Sequence, residues 1–304
     1  MTATVVDPTE VARAYRDEVR ASVSALAGRG RTLRIVGILS QQDGPAATYA
    51  RHASRACEAV GIAMDVQRVE PSGVEAAIAA ANADASVDGI FLYYPLLGSA
   101  QDRWLRELVD PRKDIEGMHS FWSRLLYENR RFVDEDGAQR AILPCTPLAI
   151  LKLLQHAGMR GEGSEAPLEG ITACVVNRSD IVGRPLAAML ANDGARVHSL
   201  DVHGSLLLEP AIGRHTHDVR DSTATRAQAL AEADVVVSAV PSASFEPITG
   251  AELKPGALLV DVAERRNFDD SALEVASAFV PRVGPLTVTM AMRNLVRLVE
   301  TLRD

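Results

Sequence analysis

The sequence holds only three lysines, Lys113, Lys152 and Lys254, against 29 arginines, so chemistry that needs a primary amine has few candidates here. Its three cysteines, Cys57, Cys145 and Cys174, stand far apart without paired spacing, which excludes a disulfide framework and a zinc knuckle. No stretch approaches the roughly 20 apolar residues a membrane helix needs, and no basic segment leads into an apolar run at the N-terminus. A cytoplasmic location and no membrane partner are therefore expected. Basic residues are outnumbered 32 to 40, a net charge of −8, so nothing attracts a nucleic acid. Aromatic residues make up only 4%, but an apolar share of 47% is ample for a large core. At 304 residues the chain exceeds what one core usually needs, which predicts two domains with a cleft between them.

Hydrophobic patterning predicts the α/β class. Asp7 to Ala27 opens on Asp-Pro-Thr-Glu and repeats Val11, Tyr15, Val19 and Val23 at four-residue steps, the mark of a capped amphipathic helix. Apolar runs at 33–39, 63–69 and 89–94 read as strands, with helices over 46–60 and 74–83 between them. The stretch 110–147 is rich in turn formers and charges and reads as irregular, the place where binding groups are displayed. A helix follows to about residue 157, and a second alternation places strands at 171–176, 195–200, 235–239 and 257–262, with a helix over 185–193. The last apolar periodic segment, 288–302, reads as a helix crossing back to the first domain. Alternating strands and helices imply parallel sheets covered on both faces, two α/β/α domains in all, the second Rossmann-type.

The chain lacks the three-glycine dinucleotide fingerprint. In its place Val175 to Pro185 joins a buried strand to a helix start, where unpaired backbone N–H groups and the helix dipole favour a diphosphate. Ser179 and Gly183 permit close approach; the alternative is a strand-to-helix turn without a ligand. Asp201 ends the next strand about 20 residues on, where a carboxylate binds the ribose hydroxyls of NAD and repels the extra phosphate of NADP. The alternative is a strand-end aspartate capping the turn that follows. His215-Thr-His217 places two imidazoles on one side of a strand, yet no third ligand is suggested and the surroundings read as a loop, so no metal is expected.

Asn177-Arg-Ser-Asp-Ile-Val-Gly-Arg-Pro185 resembles the signature loop of the tetrahydrofolate dehydrogenase/cyclohydrolase family. Asp88-Gly-Ile-Phe-Leu-Tyr-Tyr-Pro95, Lys113-Asp-Ile-Glu-Gly117, Leu143-Pro-Cys-Thr-Pro147 and Val283-Gly-Pro-Leu-Thr287 match in the same order. The likeness runs from Val36 to Leu298. It implies a folate-binding domain over 1–147 with the helix 288–304 packed back on it, an NAD-binding domain over 148–287, a tetrahydrofolate substrate and a homodimer. Bifunctional members carry a lysine four residues after the tyrosine, where this chain has Ala53 after Tyr49, and a glutamine where it has Tyr93. They also have aspartate in place of Glu116 and an extra glycine near Pro281-Arg282-Val283. The likeness is closer to the monofunctional, NAD-dependent branch of yeast type, which shares the tyrosine at 93, the glutamate at 116, Pro-Leu-Ala-Ala over 185–188 and an insertion after the ribose aspartate, here 203–222.

In the family the lysine and glutamine serve the cyclohydrolase step, and chemistry makes their loss interpretable. The methylene carbon of 5,10-methylenetetrahydrofolate lies between two nitrogens whose lone pairs expel a hydride and leave a delocalised cation, so oxidation needs positioning and no proton transfer. Hydrolysis of the methenyl product needs a deprotonated water or a stabilised oxyanion, work that suits a lysine. Dehydrogenase activity without cyclohydrolase activity is expected. The rivals are a bifunctional enzyme that recruits His52 or Arg51, although His52 points about 100° from residue 53 on a helix, and a catalytically silent folate or nucleotide binder.

The resemblance implies Tyr49, Tyr93 and Cys145 at the reacting carbon. Tyr49 would stack on the aminobenzoyl ring, or be a core tyrosine. Tyr93 would fill the space of the missing lysine and glutamine, or simply pack. Cys145 would line the pocket, or be a structural thiol, and no nucleophilic role is expected of it. Glu116 would pair with the donor edge of the pterin, or be a solvated loop charge, and Pro285 would border the folate. Asn177, Arg178, Ser179, Ile181, Val182, Gly183 and Asp201 would hold NAD, with Arg178 meeting a phosphate or lying on the surface.

Overall fold

The computed structural model describes residues 3–40, 44–159, 166–211 and 216–301. In chain order its strands are β1 (Thr4–Val5), β2 (Arg34–Leu39), β3 (Ala63–Arg68), β4 (Gly89–Leu92), β5 (Thr172–Val176), β6 (Arg196–Asp201), β7 (Gly204–Pro210), β8 (His217–Ser222), β9 (Val235–Ser238), β10 (Leu258–Asp261) and β11 (Ala278–Val280). Two compact units share them. The smaller comprises Ala12–Leu125, Arg131–Cys145 and Val288–Asp304; the larger comprises Met1–Val11, Leu126–Arg130 and Thr146–Thr287.

The smaller unit is built on a parallel sheet ordered β3-β2-β4. β2 is buried along almost its whole length and carries apolar residues on both faces, as a central parallel strand requires. Val36 and Ile38 join Val74, Ile78, Leu92 and Leu105 in one core cluster. The helix Pro45–Glu58 packs on β2 and β3 through Ala46, Ala47, Ala50, Ala53 and Cys57. Small side chains bring its backbone close to the sheet, which sets the depth at which Tyr49 stands.

The stretch expected to be irregular contains a helix, Ser120–Tyr127, which buries Trp122, Leu125 and Leu126 at one-turn spacing. The helix Cys145–His156 begins two residues earlier than the proline spacing predicts.

In the larger unit the order is β1-β11-β10-β9-β5-β6-β7-β8, parallel up to β6. Strand order reverses between β5 and β9, the crevice where open α/β sheets bind ligands at their carboxyl ends. The segment expected as an insertion supplies β7, which pairs antiparallel with β6, and β8, which pairs antiparallel with β7. Glu209 and Arg220 form an ion pair across this pair of strands, and exposed charges obscure the alternation on β8. β1 and β11 also went unread; a two-residue and a three-residue strand are too short to show a period. His215 lies outside the described residues, and His217 Nδ1 stands 2.7 Å from Asn192 Oδ1. Among the described residues no group of three metal-ligating side chains converges, and no helix is long and apolar enough to cross a membrane.

Candidate active site

In the smaller unit an aromatic trio forms where the helix Pro45–Glu58 meets the end of β4. Phe91 and Tyr93, two residues apart and so on one side of the strand, have ring centroids 4.8 Å apart. Tyr49 approaches them at 6.2 and 6.1 Å with tilted and edge-on rings. The trio depends on Gly37 of β2. A Cβ there would lie 2.8 Å from Tyr93 Cε2, so only glycine leaves room for the phenol ring, which is 2% exposed.

The Lys113–Gly117 motif folds around a buried carboxylate. Asp114 accepts N–H bonds from Glu116, Gly117, Met118 and His119 at 2.7 to 3.1 Å. Lys113 donates its ammonium to the carbonyls of Ala81, Asn82 and Asp84, closing the C-terminus of the helix Val74–Ala83. The lysine is therefore a cap. Glu116 is fixed from both ends: its Oε2 accepts the Leu92 N–H at 2.8 Å, and its carbonyl accepts the Cys145 N–H at 3.3 Å.

Behind Glu116 lies a residue that motif reading misses. Asn294, fully buried on the helix Gly284–Thr301, donates Nδ2–H bonds to the carbonyls of Ile115 and Leu143, each at 3.0 Å, and lies 3.5 Å from Cys145 Sγ. Cys145 Sγ donates to the Ile115 carbonyl at 3.2 Å. One amide thus ties together three segments remote in sequence. A lone asparagine beside Met292, Leu295 and Val296 was the available signal.

Burial governs the electrostatics of this cluster. It pushes Glu116 well above the usual carboxylate range; the Leu92 N–H opposes it, nearby Asp114 adds to it, and Arg106 opposes it. Burial likewise drives up Tyr49, with Cys145, Glu116 and Cys57 adding to it, and does the same to Tyr93. The Cys145 thiol is driven well up by burial and by Glu116 and Asp114, so it is a thiol at neutral pH and a poor nucleophile. Tyr49 Oη is buried without a hydrogen-bond partner. The arrangement offers aromatic faces, one carboxyl whose affinity for a proton burial raises and, among the described residues, no amine. Pro285 stands half-buried in the first turn of the helix Gly284–Thr301.

In the larger unit Asn177 sits at the reversal point. Its φ is 88°, the left-handed region that asparagine tolerates. Its N–H donates to the Leu200 carbonyl and its Nδ2 to that of Ala239, binding the ends of β6, β5 and β9. The following helix starts at Gly183, two residues before the expected Pro185. A Cβ on Gly183 would lie 1.8 Å from the Asn177 carbonyl oxygen, so the turn requires glycine. Ser179 Oγ accepts long bonds from the Val182 and Gly183 N–H groups, at 3.3 and 3.4 Å. Ile181 is among the few large apolar residues left exposed.

Asp201 accepts the Arg178 N–H at 3.0 Å and the His203 N–H at 3.2 Å, one on each oxygen. Partial burial alone would raise it, but these N–H groups and the charges of Arg178 and His203 outweigh burial and hold the carboxyl below its ordinary value. The Arg178 guanidinium turns back into the protein, donating to Ser199 Oγ, the Ser199 carbonyl and the Gly204 carbonyl. The donor set fits a dinucleotide: an ionised carboxylate with free lone pairs ends β6, and weakly held amides begin the helix. Asn267, also missed, completes this end of the sheet. Its Oδ1 accepts from Ser238 Oγ and the Val240 N–H, and its own N–H donates to Asp261 Oδ2.

A family model for the tetrahydrofolate dehydrogenase/cyclohydrolase catalytic domain matches residues 6–116, and the one for the NAD(P)-binding domain of the same family matches 144–303. The chain belongs to the tetrahydrofolate dehydrogenase/cyclohydrolase family. Among its members, a methylenetetrahydrofolate dehydrogenase [NAD(+)] of Dictyostelium discoideum is 36% identical over 96% of this chain and 93% of its own. One from Schizosaccharomyces pombe is 38% identical over 87% and 84%. The solved structure of the NAD-dependent 5,10-methylenetetrahydrofolate dehydrogenase from Saccharomyces cerevisiae superposes with a TM-score of 0.93 at 34% identity, covering 99% of this chain and 98% of that one.

Proposed function

We infer that the protein oxidises 5,10-methylenetetrahydrofolate to 5,10-methenyltetrahydrofolate with NAD and does not hydrolyse the product. The observation that carries the second half is the side-chain inventory around Tyr49. Phe91, Tyr93, Glu116, Cys145 and Cys57 interact with it, and Ala53 is buried one turn further along its helix. None of these carries an amine or an imidazole. The chain's lysines have other partners: Lys113 caps a helix, Lys152 bonds Gln155, and Lys254 pairs with Asp234.

The residues then divide the work. Tyr49 gives a ring face to the aminobenzoyl group, and Glu116 accepts the donor edge of the pterin as a carboxylate, its proton passing to solvent as the substrate binds and before hydride transfer. Tyr93 and Phe91 keep water from the one-carbon bridge, and Cys145 lines the pocket as a neutral thiol. Asn177, Ser179, Ile181, Val182 and Gly183 shape the diphosphate turn, Asp201 takes the ribose hydroxyls, and Arg178 holds Asp201 and β7 in place. Pro285 borders the folate. Bound NAD supplies the hydride acceptor. With no proton to transfer, positioning and water exclusion suffice for hydride transfer.

The assignment of folate to 1–147 with 288–304 and of NAD to 148–287, a homodimeric state and a cytoplasmic location belong to the same reading. Initial rates of NADH formation from methylenetetrahydrofolate, with NAD and NADP compared, test the first reaction. Decay of methenyltetrahydrofolate in the presence of enzyme tests the second. NADH formation with methenyl decay no faster than in buffer is expected; accelerated decay would refute the separation of the two activities, and absence of NADH the whole reading.

A further inference from the structure

Tyr94 follows β4, and with Ile90 and Leu92 it lies on the side of the sheet opposite Phe91 and Tyr93. There it packs against the core cluster that holds Val36, Ile38 and Leu105. Its hydroxyl is buried, and among the described residues it has no hydrogen-bond partner. A hydroxyl taken out of water without a partner is costly, so one kept in such a place calls for a reason.

The Tyr94 side chain walls a pocket of about 170 Å³ behind Glu116, together with Arg106, Asp114, Glu116 and Met118. The pocket is too narrow to seat a water molecule, so a partner for the hydroxyl has to come from the other side chains of the wall. Elimination leaves one. Arg106, on the helix Ser99–Leu108, has donors only. Asp114 already takes two N–H bonds on each oxygen, and the thioether of Met118 is a weak acceptor. Glu116 takes a single N–H, on Oε2, and keeps lone pairs for another donor. Burial drives Tyr94 well up; Glu116 adds to it, Arg106 opposes it, and Asp114 and Asp102 add to it, so the hydroxyl keeps its proton and stays a donor.

We propose that Tyr94 is a positioning residue for Glu116: its hydroxyl donates to the glutamate once that side chain is a carboxylate facing the pterin. For the pterin the inference rests on the proposed function; for the tyrosine it rests on the pocket. A carboxylate accepts a hydrogen bond far more strongly than a neutral carboxyl does. The hydroxyl therefore stabilises the form that the substrate needs, from the side that the substrate does not occupy. Glu116 is also faced by Tyr49 on the helix Pro45–Glu58, by Tyr93 after β4, by Cys145 at the start of its helix, by Asp114 in its own turn and by Arg106. Of these Arg106 alone is positive, so a neutral donor beside it has an effect that can be measured.

The test compares the whole wild-type chain with Tyr94→Phe, which keeps the ring and removes only the hydroxyl. With glutamate labelled at its side-chain carboxyl carbon, NMR of the ligand-free protein follows the ionisation of Glu116, whose signal is the one missing from Glu116→Gln. Tyr94→Phe should bind that proton about tenfold more tightly, the loss of one charge-assisted hydrogen bond. With NAD saturating and at about pH 7, KM for methylenetetrahydrofolate should rise about tenfold while kcat stays within about twofold, because the bond is made alike in the ground and transition states. Stability in denaturant should be no lower than that of the wild type, since the hydroxyl removed had no partner. An unchanged ionisation of Glu116 would overturn the proposal, and so would an unchanged KM beside a shifted ionisation. Lost stability with both unchanged would make the hydroxyl structural only. If the wild type forms no NADH, the proposed function falls, and the NMR comparison by itself decides whether Tyr94 supports Glu116.

Discussion

Glu116 in the smaller unit and Asp201 in the larger are both carboxylates at the carboxyl end of a parallel sheet, and their surroundings drive them in opposite directions. Glu116 receives a single N–H and is enclosed by aromatic rings, a thiol and another acid, so burial wins and raises its affinity for a proton. Asp201 is less deeply buried and receives an N–H on each oxygen beside an arginine, so it stays ionised. Identical chemistry at the side-chain tip thus gives a carboxyl raised above its ordinary value in one place and one held below it in the other; the proposed function asks the first to pair with the pterin and the second to choose hydroxyls over phosphate.

The contrast breaks most sharply at Glu116. Glu116→Leu removes two charge-assisted bonds to the pterin, on the order of 3 kcal/mol, and should cut kcat/KM for methylenetetrahydrofolate by roughly a hundredfold or more. The pH dependence carries the sign. Since the free carboxyl binds its proton tightly and the bound pterin requires it ionised, folate affinity should rise with pH, about tenfold per unit at most, until the free group ionises. Glu116→Gln should flatten that dependence. Titration of folate binding from about pH 6 to 8 reads both; a slope unchanged in Glu116→Gln would remove the glutamate from the site.

Next in size is the support behind Glu116. Asn294→Leu leaves the Leu143 carbonyl without a partner and the Ile115 carbonyl with the thiol alone, and should cost about 2 to 3 kcal/mol in denaturant unfolding. Loss of folate affinity beyond that of a stable control variant would show that the amide also positions Glu116. At Asp201 the change is smaller. Asp201→Ser exchanges a charged for a neutral acceptor, about 1.5 kcal/mol, and should raise KM for NAD and lower that for NADP by about tenfold each. An unchanged ratio would break the assigned role of this carboxylate.

The two sites were not equally legible from the amino-acid sequence. Strand and helix alternation, and the turn after β5, follow from local pattern, because a buried parallel strand needs a continuous apolar run and a helix start needs unpaired amides near its first turn. Glu116, Tyr93 and Cys145 were found through ordered motifs. The raised value of Glu116 was not legible, since its first cause is burial, and segments that enclose it, such as those of Leu92 and Cys145, lie 24 or more residues away along the chain. Gly37, Asn294 and Asn267 escaped for the same reason: each acts on a segment distant in sequence, and a single glycine or asparagine has no period. β7 and β8 escaped because the charges on an exposed edge strand hide its alternation.

A third carboxylate separates burial from ligand binding as the cause of a raised value. Asp261, at the end of β10, is 2% exposed. Burial pushes it up to about 6 against the N–H bonds of Asn267 and Ala263, and its Oδ1 has no partner. Its folded value lies above the unfolded one, so the folded state binds the proton more tightly, and stability should rise as pH falls through about 6 toward the unfolded value. Between about pH 7.5 and 5 the gain is on the order of 1 kcal/mol, superimposed on the opposite trend of carboxylates such as Asp201. Asp261→Asn keeps an oxygen for the Asn267 N–H and removes the titration, so its stability relative to wild type should be greater at the higher pH than at the lower. Denaturant curves of both proteins at the two pH values give the difference directly. If it is zero, Asp261 is ionised in the folded protein, and burial is not enough to raise a carboxyl at the end of these strands.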